Sequence, residues 1–327
     1  MRLLRYAGND TRRKRLMRLF TGLAGPRMWG MGRVIAVANQ KGGVAKTTSV
    51  ASLGVALSEL GRRVLLVDLD PQACLTFSLG LDPESIDLSV HDVLLGRVSA
   101  SVAIVATEDG PDLLPSTIDL AGAEAMLLPR TGREYVLRSA LEEISRNYDD
   151  ILLDCAPSLG VLTINALTAA DEVLIPLQCE TLSHRGVGQL LDTVLDVQRL
   201  TNRGLRVRGV LPTLFDGRTT HAKMVVADVA GRYGLPVLEP PIPKSVRFAE
   251  APASGHSVLV TARRGAGAEA YREHAKALLK PAPKKLPKPA GVPAPEARQK
   301  PEQPEATAEP NPSAARRERA SRRRIPA

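Results

Sequence analysis

The sequence predicts an α/β fold: a doubly wound, mostly parallel sheet flanked by helices. Three observations carry this expectation. Apolar runs of strand length alternate with stretches of helix length, the first run opens through a glycine-rich turn directly onto a helix, and two later runs end in aspartate. Strands covered by crossover helices on both faces read as continuous apolar runs.

The first strand is expected over residues 34–38, and Asn39-Gln40-Lys41-Gly42-Gly43-Val44-Ala45-Lys46-Thr47-Thr48 leads from it into a helix over residues 49–57. A phosphate chain needs closely approaching backbone N–H groups, a helix N-terminus, a lysine for its oxygens and a hydroxyl for Mg2+. Gly42 and Gly43 let the backbone wrap an anion, Lys46 supplies the ammonium and Thr47 the hydroxyl. The strict pattern G-x-x-x-x-G-K-[ST] is not met, because Gln40 and Ala45 occupy its glycine positions. A left-handed alanine costs about 1 kcal/mol or more, so Ala45 is expected in a right-handed conformation.

Gly61 closes the next turn, and residues 63–68 read as a second buried strand running into Asp68-Leu69-Asp70-Pro71-Gln72. Carboxylates at the carboxyl end of a parallel strand lie at the ligand edge of such a sheet. Residues 89–95, 118–128 and 134–145 are expected to be helical, and 101–106 and 113–114 extended; Asp119, Glu124, Glu142 and Glu143 read as solvated helix faces. The apolar strand 150–154 ends in Asp154, whose carboxylate can reach a Mg2+ shell. Cys155 reads as a small buried hydrophobe. Residues 172–177 and 206–213 are further strands. A helix is expected from 181 to 200, with Ser183, His184 and Arg185 capping it or on its surface, and another helix follows residues 215–220.

The net charge of +9 sits at the ends: residues 1–33 carry +8 and residues 281–327 carry +6, which leaves residues 34–280 at −5. DNA binding by that core requires a local cationic patch. Residues 1–32 form a basic arm, expected to be disordered or an upstream extension, since Met28 and Met31 lie just before the first strand. Residues 281–327, rich in Pro, Ala, Lys and Arg, are expected to be a disordered tail whose arginines either add salt-sensitive DNA affinity or form a solvated end. No apolar run approaches the roughly 18 residues of a membrane span, and no apolar stretch of signal-peptide type follows the N-terminal charges. The scattered Cys74, Cys155 and Cys179 fit a reducing compartment.

Lys-Gly-Gly-x-x-Lys-Thr-Thr, with Lys41 at its front, resembles the deviant Walker A loop of the ParA/MinD family of P-loop ATPases. The Asp-x-Asp-Pro-Gln run and the strand ending in Asp154 match the family's next motifs in order, and the resemblance covers residues 33–280. It implies ATP and Mg2+ as ligands and an ATP-dependent homodimer in which Lys41 reaches the nucleotide of the other subunit. It further implies that residues 41–48 bind nucleotide and that Asp70 orients or activates the attacking water beside the phosphate lysine Lys46. By the same resemblance Thr47, Asp68 and Asp154 serve the Mg2+ shell, Asp68 alternatively the loop, and residues 157–160 sense the γ-phosphate.

Asp216-Gly217-Arg218-Thr219 and Ile242-Pro243-Lys244-Ser245-Val246-Arg247 resemble the ParA branch more closely than the MinD branch. That likeness implies a surface for double-stranded DNA without sequence preference at Arg218 and Arg247. Lys244 stands where the family has a further arginine, keeping the charge and losing the bidentate fork. Pro243 is implied to border the adenine. The expected protein is a cytoplasmic, nucleoid-associated partitioning ATPase, stimulated by a ParB-like protein, with no membrane partner. The alternatives are a MinD-like or orphan positioning ATPase acting on a membrane or other cargo, and a cluster-carrying scaffold, which needs paired cysteines that this sequence lacks.

Overall fold

The computed structural model describes residues 32–180 and 183–280; the arm before Gly32 and the tail of residues 281–327 lie outside the described residues. Seven described strands form one sheet: β1 Arg33–Val37, β2 Val64–Leu69, β3 Val105–Ala106, β4 Asp112–Leu114, β5 Asp150–Cys155, β6 Glu172–Gln178 and β7 Arg206–Thr213. Their order is β3-β4-β2-β5-β1-β6-β7. Only the β3–β4 pair is antiparallel. The order reverses beside β1, which lies between β5 and β6, so the carboxyl end of β1 opens into the crevice of the sheet.

The longer helices are α1 Lys46–Glu59, α2 Cys74–Ser78, α3 Val90–Leu94, α4 Leu120–Leu127, α5 Val136–Ile144, α6 Val161–Ala169, α7 Ser183–Leu200, α8 Thr220–Tyr233 and α9 Ala266–Leu278. Alternate strand residues face opposite layers. Val34, Ala36, Val67, Leu153 and Ile175 meet Leu120, Leu141, Leu162 and Leu190 from α4 to α7. Ile35, Val37, Leu66, Leu152 and Leu174 meet Leu53 and Leu57 of α1 and Tyr271 and Ala275 of α9. Helix α1 lies close against the sheet: a Cβ added at Gly54 would stand 2.6 Å from Leu66 Cδ2. Its first turn is tied to α9 by the buried Tyr271 hydroxyl, 2.9 Å from Ser49 Oγ.

Charges close the opposite edge of the sheet. The buried Asp150 carboxylate accepts from Arg33 Nε at 2.9 Å and Arg62 Nε at 2.8 Å. Buried Glu172 pairs with Arg206 and Arg208. Arg208 also donates to the Ala277 carbonyl at 2.7 Å, and Arg33 to that of Leu278. The last carbonyls of α9 are thereby satisfied by cations, which also complement the helix dipole.

Two backbone expectations are corrected. Residues 100–103 form a helical turn, and only Val105–Ala106 are extended. Ala100 and Ala103 are both buried, and one helical turn puts them on the same face where a strand would split them. Ala45 is left-handed, at φ 62° and ψ 37°, not right-handed. The chain must reverse between the loop and α1, and the buried Val44 is pinned on one side of that reversal. Thr213 Oγ1 donates to its carbonyl at 3.0 Å from the end of β7. Tertiary anchoring thus overrides the local preference.

Ala45→Gly should therefore stabilise the nucleotide-free chain by about 0.5–1 kcal/mol, the relieved strain less the added unfolded-state entropy of glycine. Calorimetry should register this as a Tm higher by about 1–4 °C; an equal or lower Tm would contradict the strain.

Candidate active site

The carboxyl ends of β1, β2, β5, β6 and β7 carry the site. Asp68 of β2 and Val37 of β1 both stand in register with Asp154 of β5, so the loop after β1 and two carboxylates are held at one level of the sheet. Parallel pairing between apolar strands sets that level.

The loop of residues 39–45 is anchored at both ends. Asn39, buried, donates through Nδ2 to the Pro176 carbonyl at 2.7 Å and accepts the Lys41 N–H at 3.0 Å through Oδ1. Thr213 holds the far end at Val44. Gly43 has φ 72°, and a Cβ at Gly42 or Gly43 would meet nothing within 4 Å, so the space over the loop is open. Sequence reasoning missed Asn39 and Thr213 as anchors. Their signal was weak: a polar residue just past the end of one apolar strand and a threonine ending another.

Lys46 is buried, and its Nζ arches back to the Lys41 carbonyl at 3.2 Å. Burial lowers its pKa, while the charges of Asp154 and Asp70 oppose that shift. Asp154 is 1% exposed, and neither carboxylate oxygen has a hydrogen-bond partner in the protein at normal geometry. Burial first, then the Asp68 charge, raises its pKa well above the usual carboxylate range; the Thr47 hydroxyl and the Lys46 ammonium act the other way. A buried carboxylate with unpartnered oxygens beside a hydroxyl fits a metal cation.

Asp68 is fully buried but well partnered. Oδ2 accepts the Thr76 N–H at 2.9 Å and the Thr76 hydroxyl at 2.8 Å, and Oδ1 accepts the Asp70 N–H at 3.1 Å. Its pKa is raised to about 6, chiefly by burial, with these hydrogen bonds opposing the shift. Asp68 thereby shapes the turn that presents Asp70, whose Oδ1 accepts the Gln72 N–H at 3.0 Å. Ser116 completes the turn, donating through Oγ to the Asp70 carbonyl at 2.8 Å.

Lys41 points across the loop mouth to Glu180, with Nζ 2.5 Å from Oε2 and 3.4 Å from Gln178 Oε1. Cys155 is buried, and its thiol pKa is pushed up by burial and by Asp154. The side chains of Ser183, His184 and Arg185 lie outside the described residues. Asp119, Glu142 and Glu143 are exposed as expected. Glu124 is a correction: its Oε1 is buried without a partner, facing Gly160, because α4 packs over the turn that follows β5.

Outside this cluster, backbone hydrogen bonds join the two arginine-bearing segments: Phe215 N–H to the Ile242 carbonyl at 2.9 Å, and Lys244 N–H to the Phe215 carbonyl at 3.2 Å. Pro243 is bridged to Phe215, which lies two residues along from the Thr213 that anchors the loop. Arg218 grips Asp216 with two bonds of 2.9 Å, and Arg247 reaches Glu250 at 3.1 Å. Arg218, and to a lesser degree Lys244, lower the Asp216 pKa to about 2. Both arginine side chains are well exposed, at 90% and 66%, so water screens these pairs and they hold the arginines only weakly.

A family model described as an AAA domain matches residues 32–207. The sporulation initiation inhibitor protein Soj of Bacillus subtilis is 45% identical over 247 residues, which span 75% of this chain and 98% of Soj. The chromosome partitioning protein ParA of Caulobacter vibrioides is 43% identical over 250 residues, spanning 76% of this chain and 94% of that protein. A solved structure from Mycobacterium smegmatis, named cobyrinic acid a,c-diamide synthase and holding an ATP analogue and magnesium, is 60% identical. It covers 76% of this chain and 94% of its own, with a TM-score of 0.69. With its glycine turn, buried lysine and paired carboxylates in that company, the chain belongs to the ParA/Soj family of P-loop ATPases.

Proposed function

We propose that this protein is a ParA-type partitioning ATPase. It binds Mg2+ and ATP, closes as a homodimer around the nucleotide, holds double-stranded DNA without reading its sequence, and releases it when a ParB-like partner stimulates hydrolysis. The observation that carries the reading is Asp154: a buried carboxylate with two unpartnered oxygens, next to Thr47 and Lys46 behind an open glycine loop. Among the described residues no group of three or more His, Cys, Asp or Glu could hold a metal. A site of few protein ligands suits Mg2+, which keeps several waters and shares phosphate oxygens. When bound, Mg2+ supplies neutralising charge beside Asp154.

The residues then take these roles. Backbone N–H groups of residues 42–48 cradle phosphate, and Lys46, already desolvated, meets the β/γ oxygens where low dielectric strengthens the attraction. Thr47 and Asp154 hold the metal shell. The three hydrogen bonds on Asp68 support its alternative role, positioning the Asp70 turn. Asp70, partly exposed at the mouth, orients the attacking water. Lys41 must leave Glu180 to reach a second subunit. Both side chains are partly exposed, at 33% and 56%, so the pair costs about 1 kcal/mol or less to open. Lys41 is restrained in the single chain, not locked.

Arg218, Lys244 and Arg247 form the DNA surface in this reading, which the Phe215–Pro243 bridge between their two segments supports, and Pro243 borders the adenine. Phosphate contacts give affinity without base reading, and closing two chains doubles them. The protein then acts in the cytoplasm on the nucleoid. None of the described helices is long and apolar enough to cross a membrane.

The name carried by the Mycobacterium smegmatis structure suggests a second reading, ATP-driven amide formation. Glutamine-fed amidation needs an activated cysteine thiolate. Burial pushes the thiols of Cys155 and Cys179 up, the latter to about 11, and Cys74 is raised too, by burial and by neighbouring aspartates. The described cysteines therefore do not support that second reading.

Lys46→Ala should weaken ATP binding by about 100-fold or more, the loss of a charge-assisted phosphate contact. Asp70→Ala should bind ATP within about threefold of the parent and hydrolyse it at least about 100-fold more slowly. Normal hydrolysis by Asp70→Ala, read by phosphate release, would overturn its role. Arg247→Glu should lower ATP-dependent affinity for a random duplex by about tenfold or more and reduce the salt slope by about 1 or more. Anisotropy across a salt series measures both, and an unchanged affinity would remove Arg247 from the DNA surface.

A further inference from the structure

Helix α4 contributes a half-buried glutamate, one of whose carboxylate oxygens is shut off from water. Glu124 Oε1 is buried with no hydrogen-bond partner. Gly160 makes room for it: a Cβ at Gly160 would lie 2.6 Å from that oxygen, and Ser158 Oγ is 3.6 Å from the same point. Any other residue at position 160 would collide with the carboxylate or displace it.

Gly160 is also the last residue of the segment that leaves β5 just after Asp154. It enters α6 with extended backbone and without a side-chain cap. Residues 157–159 before it are exposed or partly exposed at the mouth of the site. An acidic oxygen is therefore buried against a short, glycine-ended turn attached to the metal-site strand, and it takes no donor from that turn. A buried acceptor left unpaired is costly, and the cost disappears once an N–H or O–H reaches it. The present arrangement of residues 157–160 is thus not the one that Glu124 favours.

We propose that Glu124 is a positioning residue for residues 157–160. Its free oxygen accepts a donor from this turn, a backbone N–H or the Ser158 hydroxyl, when the turn moves to engage the γ-phosphate. This rests on the reading of the site as one for Mg2+ and ATP. Because the hydrogen bond forms only in the γ-phosphate-engaged arrangement, Glu124 shifts the equilibrium toward ATP over ADP by the energy of that bond. A side chain that merely packs α4 against the turn would support both nucleotides equally.

The full chain would be titrated with ATPγS and with ADP, each with Mg2+, as wild type, Glu124→Met, Glu124→Gln and Lys46→Ala. Glu124→Met fills similar space without an acceptor. It should lose about tenfold in ATPγS affinity, about 1.4 kcal/mol, keep ADP affinity within about twofold, and show no fall in the Tm of the nucleotide-free chain. Glu124→Gln, which keeps a carbonyl oxygen, should restore most of the preference. A parallel fall in ATPγS and ADP affinity, no fall in either, or a lowered nucleotide-free Tm would overturn the positioning role. Wild-type affinity in Lys46→Ala would instead show that the nucleotide site itself is misplaced, and the inference would fall with it.

Discussion

Two buried carboxylates in register on neighbouring strands set the terms for the rest of this structure. Asp68 and Asp154 stand side by side at the ends of β2 and β5, and the Asp68 charge adds to the cost of charge on the buried Asp154. The protein resolves the two differently. Asp68 receives three hydrogen bonds and builds the turn that carries Asp70, while Asp154 has no partner at normal hydrogen-bond geometry and only the Thr47 hydroxyl and the Lys46 ammonium near it. A cation next to Asp154 completes the electrostatics, and the loop above it is strained and anchored in a shape that leaves room for phosphate. The left-handed Ala45, the open face over Gly42 and Gly43, and the inward Lys46 all belong to that constraint.

The sheet separates this costly edge from a stabilising one. At the far edge, Asp150 and Glu172 are neutralised by four arginines, two of which, Arg33 and Arg208, also satisfy carbonyls at the end of α9. Helix α9 in turn holds α1 through Tyr271 and Ser49. Phe248, in the turn beginning with Arg247, packs edge-on against the same tyrosine, with ring centroids 6.1 Å apart. The helix that follows the phosphate loop and the segment bearing Arg247 therefore share one buried side chain. That contact places the Arg247 segment on the same rigid frame as the helix that follows the glycine loop.

Much of this was legible in the sequence because buried parallel strands have a plain signature. The runs at 150–155, 172–178 and 206–213 could be read nearly to the residue, and the carboxylates that end β2 and β5 followed from them. The hidden features were those decided by distant partners. Ala45 is turned left-handed by a loop whose anchors, Asn39 to Pro176 and Thr213 to Val44, span 137 and 169 residues of chain. Glu124 looked like a solvated helix residue until Gly160, far along the chain, met it. The turn at Ala100–Ala103 was hidden because four residues carry too little periodicity to separate helix from strand. Arg218 and Arg247 were recognisable by motif, but their ion pairs with Asp216 and Glu250 appear only in three dimensions.

In the proposed function Lys41 leaves Glu180 to reach the nucleotide of a second chain, and the dimer depends on that exchange. Sedimentation velocity of the full chain with Mg2+ and either ATPγS or ADP tests it most directly, with Lys41→Ala alongside. The account predicts a dimer with ATPγS alone, and a Lys41→Ala chain that still binds ATPγS but stays monomeric. The same mass in both nucleotides, or dimerisation of Lys41→Ala at the wild-type level, would contradict it.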